Sequence, residues 1–230
     1  MNVEEQQYLD LIKTVLERGA LRAGRGGPTT KSIFGHQARY SLADGKLPLL
    51  TTKKVFTRGI IEELLWMIRG STNVDELKER NVHIWDGHSS REHLDNFGLS
   101  HLREGDIGAG YGFQWRHAGC EYRGCDEDYD GEGVDQLQQL VFNLKNNPSS
   151  RRHVVSAWGV SNLHEMALPP CHCLFQFYID DNGLSCHLFQ RSGDIGLGVP
   201  FNITSYSIFT HIIAKLVGVP AYEFIHTLSD

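Results

Sequence analysis

The sequence predicts an α+β fold in which helices pack on one side of a large mixed β-sheet. Segments with apolar residues at helical spacing alternate irregularly along the chain with strand-like segments. Two of the strand-like segments, Leu174–Asp180 and Leu184–Gln190, flank an Asn182-Gly183 pair that is typical of a hairpin. Neither an internal repeat nor a low-complexity linker divides the sequence, so residues 1–230 are expected to form one domain.

Five segments are predicted to be helices. Two have apolar residues on one helical face, two are strongly apolar throughout, and Ser71–Arg80 has residues at capping-box spacing. Gly19 and Gly218 are expected to end two of these helices, because glycine readily adopts the left-handed conformation of a helix C-terminus. The predicted helices are Glu4–Gly19, Val55–Gly70, Ser71–Arg80, Val134–Asn147 and Asn202–Val217.

The remaining segments are predicted as strands and loops. Gly105–Trp115 mixes glycines with aromatic residues and is predicted to be a loop that enters a buried strand. Asp126–Gly133 is acidic and is expected to lie at the surface. Besides the hairpin, the predicted strands are Ser32–Leu42, Leu47–Thr52, His153–Trp158 and Glu223–Leu228.

The composition and charge of the sequence indicate which kinds of molecule the protein is expected to bind. A formal net charge of −6 argues against nucleic acid as the main partner, although it allows a local arginine cluster for a small anion. We expect no membrane partner, because no apolar run approaches the roughly 20 residues that a membrane helix needs. The N-terminus lacks a signal-peptide pattern and the five cysteines are an odd number, which together favour a cytoplasmic protein with free thiols.

The stretch from Ala167 to Cys173 is the first candidate for chemistry, because two prolines stiffen the approach to Cys171. The predicted hairpin brings the Cys171 thiol to the same end as Arg191, whose charge would stabilise a nucleophilic thiolate. Zinc binding and redox chemistry are weaker interpretations. Zinc needs four ligands at recognisable spacing, so we expect no metal, and a redox pair usually has Cys-x-x-Cys spacing.

Glu63 is the second candidate. Its neighbours on the predicted helix are Gly59, Ile60, Trp66 and Met67, so no opposite charge lies beside it. A carboxylate in such surroundings is expected to have a raised pKa and to carry protons or hold water. The alternative is a partly exposed glutamate at the edge of the helix.

Two glycine-containing segments are candidates for binding an anion. The loop from Arg22 to Thr30 is rich in glycine and contains two arginines, Arg22 and Arg25. It is either a flexible connection or a carrier of a guanidinium group to an anionic ligand. Arg191 and Ser192 precede a second glycine-rich run. A guanidinium, a hydroxyl and exposed backbone donors together suit a phosphate.

Several motifs, in this order along almost the whole chain, resemble those of the thymidylate synthase family. They are Pro48–Lys53, Glu62–Trp66, Ile84–Asp86, Tyr111–Arg116, Arg151-Arg152, Met166–His172, Gln190–Asp194 and Gly196–Asn202. The resemblance implies a thymidylate synthase-like fold and a methyltransferase. That enzyme converts dUMP to dTMP with 5,10-methylenetetrahydrofolate as cosubstrate and gives dihydrofolate.

The resemblance implies a role for each matching residue. Cys171 would attack C6 of the pyrimidine ring, Glu63 would organise protons and water at O4, and Tyr111 would help to remove the C5 proton. Further residues, also implied by resemblance, have supporting roles. His172 and Asp194 join the catalytic set, Trp85, His88 and Asp194 face the folate, and Arg25, Arg151, Arg152, Gln190, Arg191, Ser192 and Asn202 bind the nucleotide.

The resemblance also implies a contact with a second subunit and a residue that recognises the pyrimidine base. Arg151 and Arg152 would reach the nucleotide phosphate of the other subunit in a homodimer. Asn202 would read the pyrimidine edge, because an amide can both donate to O4 and accept from N3–H. A related dCMP hydroxymethylase carries an aspartate at this position, so Asn202 favours dUMP.

The sequence also departs from the family pattern. Gly24-Arg25-Gly26-Gly27 replaces the usual Asp-Arg-Thr-Gly, and Gly159 stands where an asparagine is typical. The sequence stops at Asp230, before the family's His-x-Tyr pair and C-terminal tail, so we expect a truncated form. The alternatives to a synthase are therefore a deoxycytidylate hydroxymethylase and a catalytically impaired protein that binds nucleotide or folate on the same scaffold.

Overall fold

A computed structural model describes residues 3–23 and 29–230. Within these residues the helices are α1 Val3–Arg18, α2 Thr57–Ile68, α3 Asp75–Glu79, α4 Arg91–Asn96, α5 Tyr111–His117, α6 Gln136–Asn146 and α7 Gly198–Val217. The strands are β1 Ala20–Arg22, β2 Thr30–Ser32, β3 His36–Ser41, β4 Val154–Ser156, β5 His172–Asp180, β6 Gly183–Gln190 and β7 Ala221–Leu228. Short 3₁₀ turns occupy Ala43–Gly45 and Val160–Glu165.

The main sheet has five strands in the order β3-β7-β6-β5-β4 and is mixed. Strands β3 and β7 are antiparallel, with Tyr40 opposite Phe224, whereas β6 and β7 are parallel. A parallel pair needs a long crossover, and α7 supplies it between β6 and β7. This combination of helices with a mixed sheet confirms the predicted α+β class.

The chain divides into two compact units. The first unit comprises Met1–Val55 and Phe175–Asp230, and the second comprises Phe56–Leu174. In the first unit, α7 packs on β6 and β7 and α1 packs on β3. Aromatic side chains fill this core, with Phe224 stacked on both Tyr40 and Tyr206.

The second unit is mainly helical, and its helices α2 and α5 pack closely against each other. Gly112 in α5 permits this approach, because a Cβ atom there would lie 2.7 Å from the carbonyl oxygen of Met67 in α2. Trp66 and Trp115 are fully buried in this unit. The close packing places the first residue of α5 beside α2.

Three predicted elements were wrong or displaced. Leu47–Thr52 is not a strand, because the backbone N–H groups of Thr51 and Thr52 donate to the Glu5 carboxylate rather than to a neighbouring strand. Ser32–Leu42 is interrupted after β2, where Gly35 has a φ of 84°.

The third is Gly105–Trp115, which does not lead into a strand. Its last part is the start of helix α5. The other predicted helices were confirmed within a few residues at each end, except that only Asp75–Glu79 is helical within Ser71–Arg80. The strands of the predicted hairpin were confirmed as β5 and β6.

Candidate active site

Glu63 lies on α2, half-buried, and its carboxylate accepts a hydrogen bond of 2.7 Å from the indole nitrogen of Trp85. Burial raises the pKa of Glu63 from 4.5 to about 7, although the hydrogen bond from Trp85 acts in the opposite direction. The Trp85 ring is itself buried and lies against Trp66, with ring centroids 6.2 Å apart. Glu63 can therefore gain or lose a proton near neutral pH.

Tyr111 connects this carboxylate to the cysteine. Its ring lies edge-on to Trp85 with centroids 5.6 Å apart, and its hydroxyl oxygen accepts a 2.7 Å hydrogen bond from the backbone N–H of Cys171. Burial is the main cause that raises the pKa of Tyr111 far above its ordinary value, and the negative charges of Cys171 and Glu63 add to it. The phenol therefore remains protonated and can still donate its own hydrogen.

The backbone of Tyr111 is unusual. Its φ of 27° lies in the left-handed region, which non-glycine residues rarely adopt. Such strain persists only where the surroundings hold the residue in place, and it concentrates at functional sites. Here the close contact of Gly112 with α2 fixes the start of α5.

His172 and His88 border the same group of rings. His172 is half-buried and lies edge-on to Tyr111 at 5.4 Å, and His88 lies edge-on to Trp85 at 5.8 Å. Burial lowers the pKa of His88, and the nearby His93 lowers it further. The second unit thus brings together Cys171, His172, Tyr111, Glu63, Trp85 and His88.

The first unit holds a buried polar chain of three side chains. The Gln190 amide nitrogen donates to Asn202 Oδ1 at 2.9 Å, and Gln190 Oε1 lies 2.8 Å from His226 Nε2. Because Gln190 Oε1 can only accept, His226 Nε2 must carry the proton. This chain fixes which way the Asn202 amide faces, since its Oδ1 is turned toward Gln190.

Next to this chain, Arg191 and Ser192 are half-buried in the loop that precedes α7. The backbone carbonyl of Ser192 accepts a second hydrogen bond from the Gln190 amide. Asp194 is exposed, and its carboxylate accepts a hydrogen bond from the backbone N–H of Leu197. The Asp194 side chain therefore orders the loop that it belongs to.

Of the other arginines predicted to bind the nucleotide, the structure describes Arg151 and Arg152. Arg151 and Arg152 are exposed and are separated from β4 by the buried His153. Arg25 lies outside the described residues. Among the residues that the structure describes, there is no group of three or more histidine, cysteine or acidic side chains that could hold a metal ion.

The contacts within the second unit suit nucleophilic and acid–base chemistry. A thiol, a phenol and a carboxyl group with a pKa near neutrality lie in one connected group of the second unit. A buried amide with a fixed orientation, suited to reading a polar ring edge, lies in the first unit.

Comparison with known proteins identifies the family. The family model for thymidylate synthase matches residues 6–230. The chain belongs to the thymidylate synthase family. It is 54% identical over 226 residues to the human thymidylate synthase, covering 98% of this chain and 72% of that protein. It is 53% identical over 239 residues to the thymidylate synthase of Saccharomyces cerevisiae, covering 100% of this chain and 79% of the yeast protein.

Some relatives are much longer. The chain is 54% identical over 231 residues to the bifunctional dihydrofolate reductase-thymidylate synthase of Leishmania amazonensis. This match covers 100% of the chain and 44% of the Leishmania protein. The chain therefore spans less than half of that bifunctional relative. In the part of the chain that is described, no helix has the length and apolar character needed to cross a membrane.

One departure from the thymidylate synthase pattern has a packing explanation. Gly159 replaces the asparagine typical of the family, and a Cβ atom at this position would lie 2.5 Å from Gln114 Oε1. The buried Gln114 side chain, which donates to the Ala109 carbonyl, occupies the space that a larger residue would need. Glycine at position 159 thus fits the present position of Gln114.

Sequence reasoning missed His226. Its place in β7 did offer a signal, because Phe224, His226 and Leu228 alternate along the strand and are all buried. A histidine within an apolar strand face needs a hydrogen-bond partner. The identity of that partner, Gln190, followed only from the parallel pairing of β6 with β7.

Proposed function

We propose that this protein is a thymidylate synthase, which converts dUMP to dTMP with 5,10-methylenetetrahydrofolate and gives dihydrofolate. Family membership over residues 6–230 supports this activity. The observation that carries it is the connected group in the second unit. There Tyr111 accepts the backbone N–H of Cys171, and its ring packs against Trp85, which donates to Glu63.

In this proposal Cys171 is the nucleophile. Its sulfur adds to C6 of the pyrimidine, and the electron pair of the C5–C6 double bond moves toward C5 and O4. This makes C5 nucleophilic toward a one-carbon unit. A thiolate suits a reversible addition to an electron-poor ring. The hydrogen bond from the Cys171 backbone to Tyr111 supports a defined position for the sulfur-bearing residue.

Glu63 and Tyr111 are proposed to move protons around the same ring. Burial raises the pKa of Glu63 to about 7, so near neutral pH it can supply or take a proton at O4. Tyr111 stays protonated and is proposed to help in removing the C5 proton through its hydroxyl. His172 is proposed to complete the polar surroundings of the pyrimidine.

The residues facing the cosubstrate are proposed to be Trp85, His88 and Asp194. The fit rests on two flat side chains, since the rings of Trp85 and His88 lie edge-on to each other next to Glu63 and suit a planar pterin. The folate supplies the one-carbon unit and the hydride. We propose no metal in this site.

Nucleotide binding is proposed for a second set of residues. Asn202 would read the uracil edge, and Gln190 would hold its amide in place. Because Asn202 Oδ1 accepts from Gln190, its amide nitrogen would donate to uracil O4, and this favours dUMP over dCMP because cytosine carries an amino donor at that position. Arg25, Arg191 and Ser192 are proposed to bind the phosphate.

The assembly is part of the same proposal. We propose a homodimer in which Arg151 and Arg152 reach the phosphate at the other subunit's site, which suits two adjacent exposed arginines. We also propose a cytoplasmic location, residues 1–230 acting as one thymidylate synthase domain, and small molecules rather than nucleic acid as the main partners.

A turnover assay tests this function. The 230-residue chain is mixed with dUMP and methylenetetrahydrofolate, and dihydrofolate formation is followed by its absorbance. Cys171→Ser should lower turnover at least about 10³-fold, because the nucleophile is lost. Cys125→Ser, a change at a half-buried cysteine in the same unit, serves as the matched control and should leave turnover unchanged.

The outcomes separate the alternatives. Turnover that survives Cys171→Ser would contradict the assigned nucleophile. A wild-type chain that binds dUMP without forming dihydrofolate would favour the impaired binding protein. Formation of hydroxymethyl-dCMP from dCMP would favour the hydroxymethylase instead.

A further inference from the structure

The segment that leads to Cys171 is held on one side by residues 107–109 of the same unit. The backbone N–H of Ala167 donates to the Ile107 carbonyl at 3.0 Å, and that of Ala109 donates to the Glu165 carbonyl at 3.1 Å. These bonds fix the segment upstream of the cysteine. They leave open what fixes the stretch between Ala167 and Cys171.

His93 contacts the start of that stretch. Its Nε2 lies 2.8 Å from the carbonyl oxygen of Ala167, which is fully buried. The next residues include Pro169 and Pro170, which have no N–H to donate. The hydrogen bond at Ala167 is therefore an anchor placed just before two residues that cannot form N–H anchors of their own.

The imidazole of His93 is itself held in place. It stacks on Phe97, with ring centroids 4.3 Å apart and planes 19° apart, and lies edge-on to His88 at 5.3 Å. Because a carbonyl oxygen only accepts, Nε2 carries the proton in both the neutral and the charged ring. The bond to Ala167 is thus available in either charge state.

A series of ring contacts leads from His93 to Cys171. His88 contacts Trp85, Trp85 contacts Tyr111, and the Tyr111 hydroxyl accepts the backbone N–H of Cys171. One series of rings therefore contacts the segment at both of its ends. Movement of either end requires repacking of this series.

We propose that His93 is a positioning residue for Cys171, which acts by holding the Ala167 carbonyl and so fixes the segment that presents the thiol. Its importance for catalysis rests on the proposed function, in which Cys171 is the nucleophile. The positioning itself is a property of the backbone. It can be measured without turnover.

Amide hydrogen exchange tests the positioning directly. His93→Phe keeps a ring that can stack on Phe97 but removes the donor to Ala167. Exchange in the fragment covering residues 166–173 should become about tenfold faster, while the fragment covering residues 111–117 changes less than about twofold. Equal acceleration in both fragments, or none in the first, would overturn the proposal.

A rescue variant and a control complete the test. His93→Gln retains an N–H donor at a similar distance from the backbone, so exchange in residues 166–173 should return to within about twofold of wild type. His101→Phe changes an exposed histidine in the same unit and should have no effect. A glutamine variant that behaves like the phenylalanine variant would also overturn the proposal.

Kinetics then link positioning to chemistry. His93→Phe should lower kcat about tenfold and change KM for dUMP by less than about threefold, because a displaced nucleophile impairs the reaction more than binding. Faster exchange with unchanged kcat would overturn the catalytic importance of His93. If His93→Phe exchanged faster as expected but the wild-type chain showed no turnover, the positioning role would stand and the proposed function alone would be contradicted.

Discussion

Glu5 and Glu63 are glutamates on helices of the two different units, and their surroundings shift their pKa values in opposite directions. Glu5, on α1, is buried, and burial by itself would raise its pKa. Four hydrogen bonds from the backbone and hydroxyl groups of Thr51 and Thr52, at 2.7 to 2.8 Å, outweigh that effect and lower the pKa of Glu5 to about 2.

Hydrogen bonds to Glu63 offset far less of the effect of burial on its pKa than those to Glu5 do. Burial raises the pKa of Glu63 to about 7, because the hydrogen bond from Trp85 lowers that pKa by less than burial raises it. The two carboxylates therefore differ in how far hydrogen-bond donors offset the effect of burial on their pKa values. A fully compensated carboxylate remains charged and stabilises the fold, whereas a poorly compensated one is available for proton transfer.

The largest expected effect comes from Glu63→Gln. The amide keeps the shape and can still accept from Trp85, but it cannot exchange a proton at neutral pH. We expect turnover to fall about 10²–10⁴-fold, the range of general acid–base catalysis. Glu62→Gln is the matched control, because the neighbouring Glu62 pairs with Arg80 and should leave turnover nearly unchanged. A fall of similar size in the control would refute a specific role for Glu63.

At high pH the Glu63→Gln variant should be more stable than the wild-type protein. Below pH 4.5 Glu63 is protonated in both folded and unfolded states and contributes no cost. Between pH 4.5 and about 7 only the unfolded state ionises, so the stability of the wild-type protein falls as pH rises. Denaturant unfolding should therefore show Glu63→Gln more stable than wild type at pH 8, with little difference at pH 4.

Glu5→Gln should have the opposite effect on stability. The charge is lost while the shape remains, so we expect the free energy of unfolding at pH 7 to fall by about 1–2 kcal/mol. The wild-type contribution of Glu5 is present above pH 4.5 and is lost as pH falls toward 2, so the variant should lose less stability over that range. Urea unfolding measures both.

Glu17→Gln provides a control on the same helix, because Glu17 is exposed and its ion pair with Lys13 is at the 4.0 Å limit. Its unfolding free energy should change by less than about 0.5 kcal/mol. If Glu5→Gln were equally neutral, the threonine hydrogen bonds would not stabilise the fold as described.

His153 is a buried polar side chain that, unlike Glu5, forms no hydrogen bond with the described residues. Its side chain is 1% exposed, and neither ring nitrogen has a hydrogen-bond partner in the described part of the chain. His153→Leu should raise the free energy of unfolding by about 1 kcal/mol, because it removes polar atoms that burial disfavours. Exposed His101→Leu should change it by less than about 0.5 kcal/mol. A clear loss of stability in His153→Leu would show that the ring nitrogens are satisfied in solution.

Much of the fold follows from local patterns. Helices α1 and α6 were predicted from helical periodicity and α2 and α7 from strongly apolar runs. The Asn182-Gly183 pair predicted the hairpin of β5 and β6. Helix α5 could not be predicted in this way. Its start depends on the positive φ of Tyr111 and on the contact of Gly112 with α2, both of which are consequences of tertiary packing.

In the candidate site, too, some features could be predicted from the local sequence and others could not. The apolar neighbours of Glu63 along its own helix predicted a raised pKa, because that environment is local. Glu5 had no comparable signal, since an acidic residue in the first turn of a helix is ordinary and its threonine donors lie in a distant segment. Its hydrogen bonds also explain why Leu47–Thr52 is not a strand.

A carboxyl titration of Glu5 and Glu63 in the same sample measures directly whether their surroundings shift the two pKa values in opposite directions. Glutamate labelled with ¹³C at the side-chain carboxyl is incorporated, and the Glu5→Gln and Glu63→Gln variants assign the two signals. We predict midpoints near pH 2 for Glu5 and near pH 7 for Glu63. If both carboxyl groups titrated near 4.5, their surroundings would not give them the different roles described.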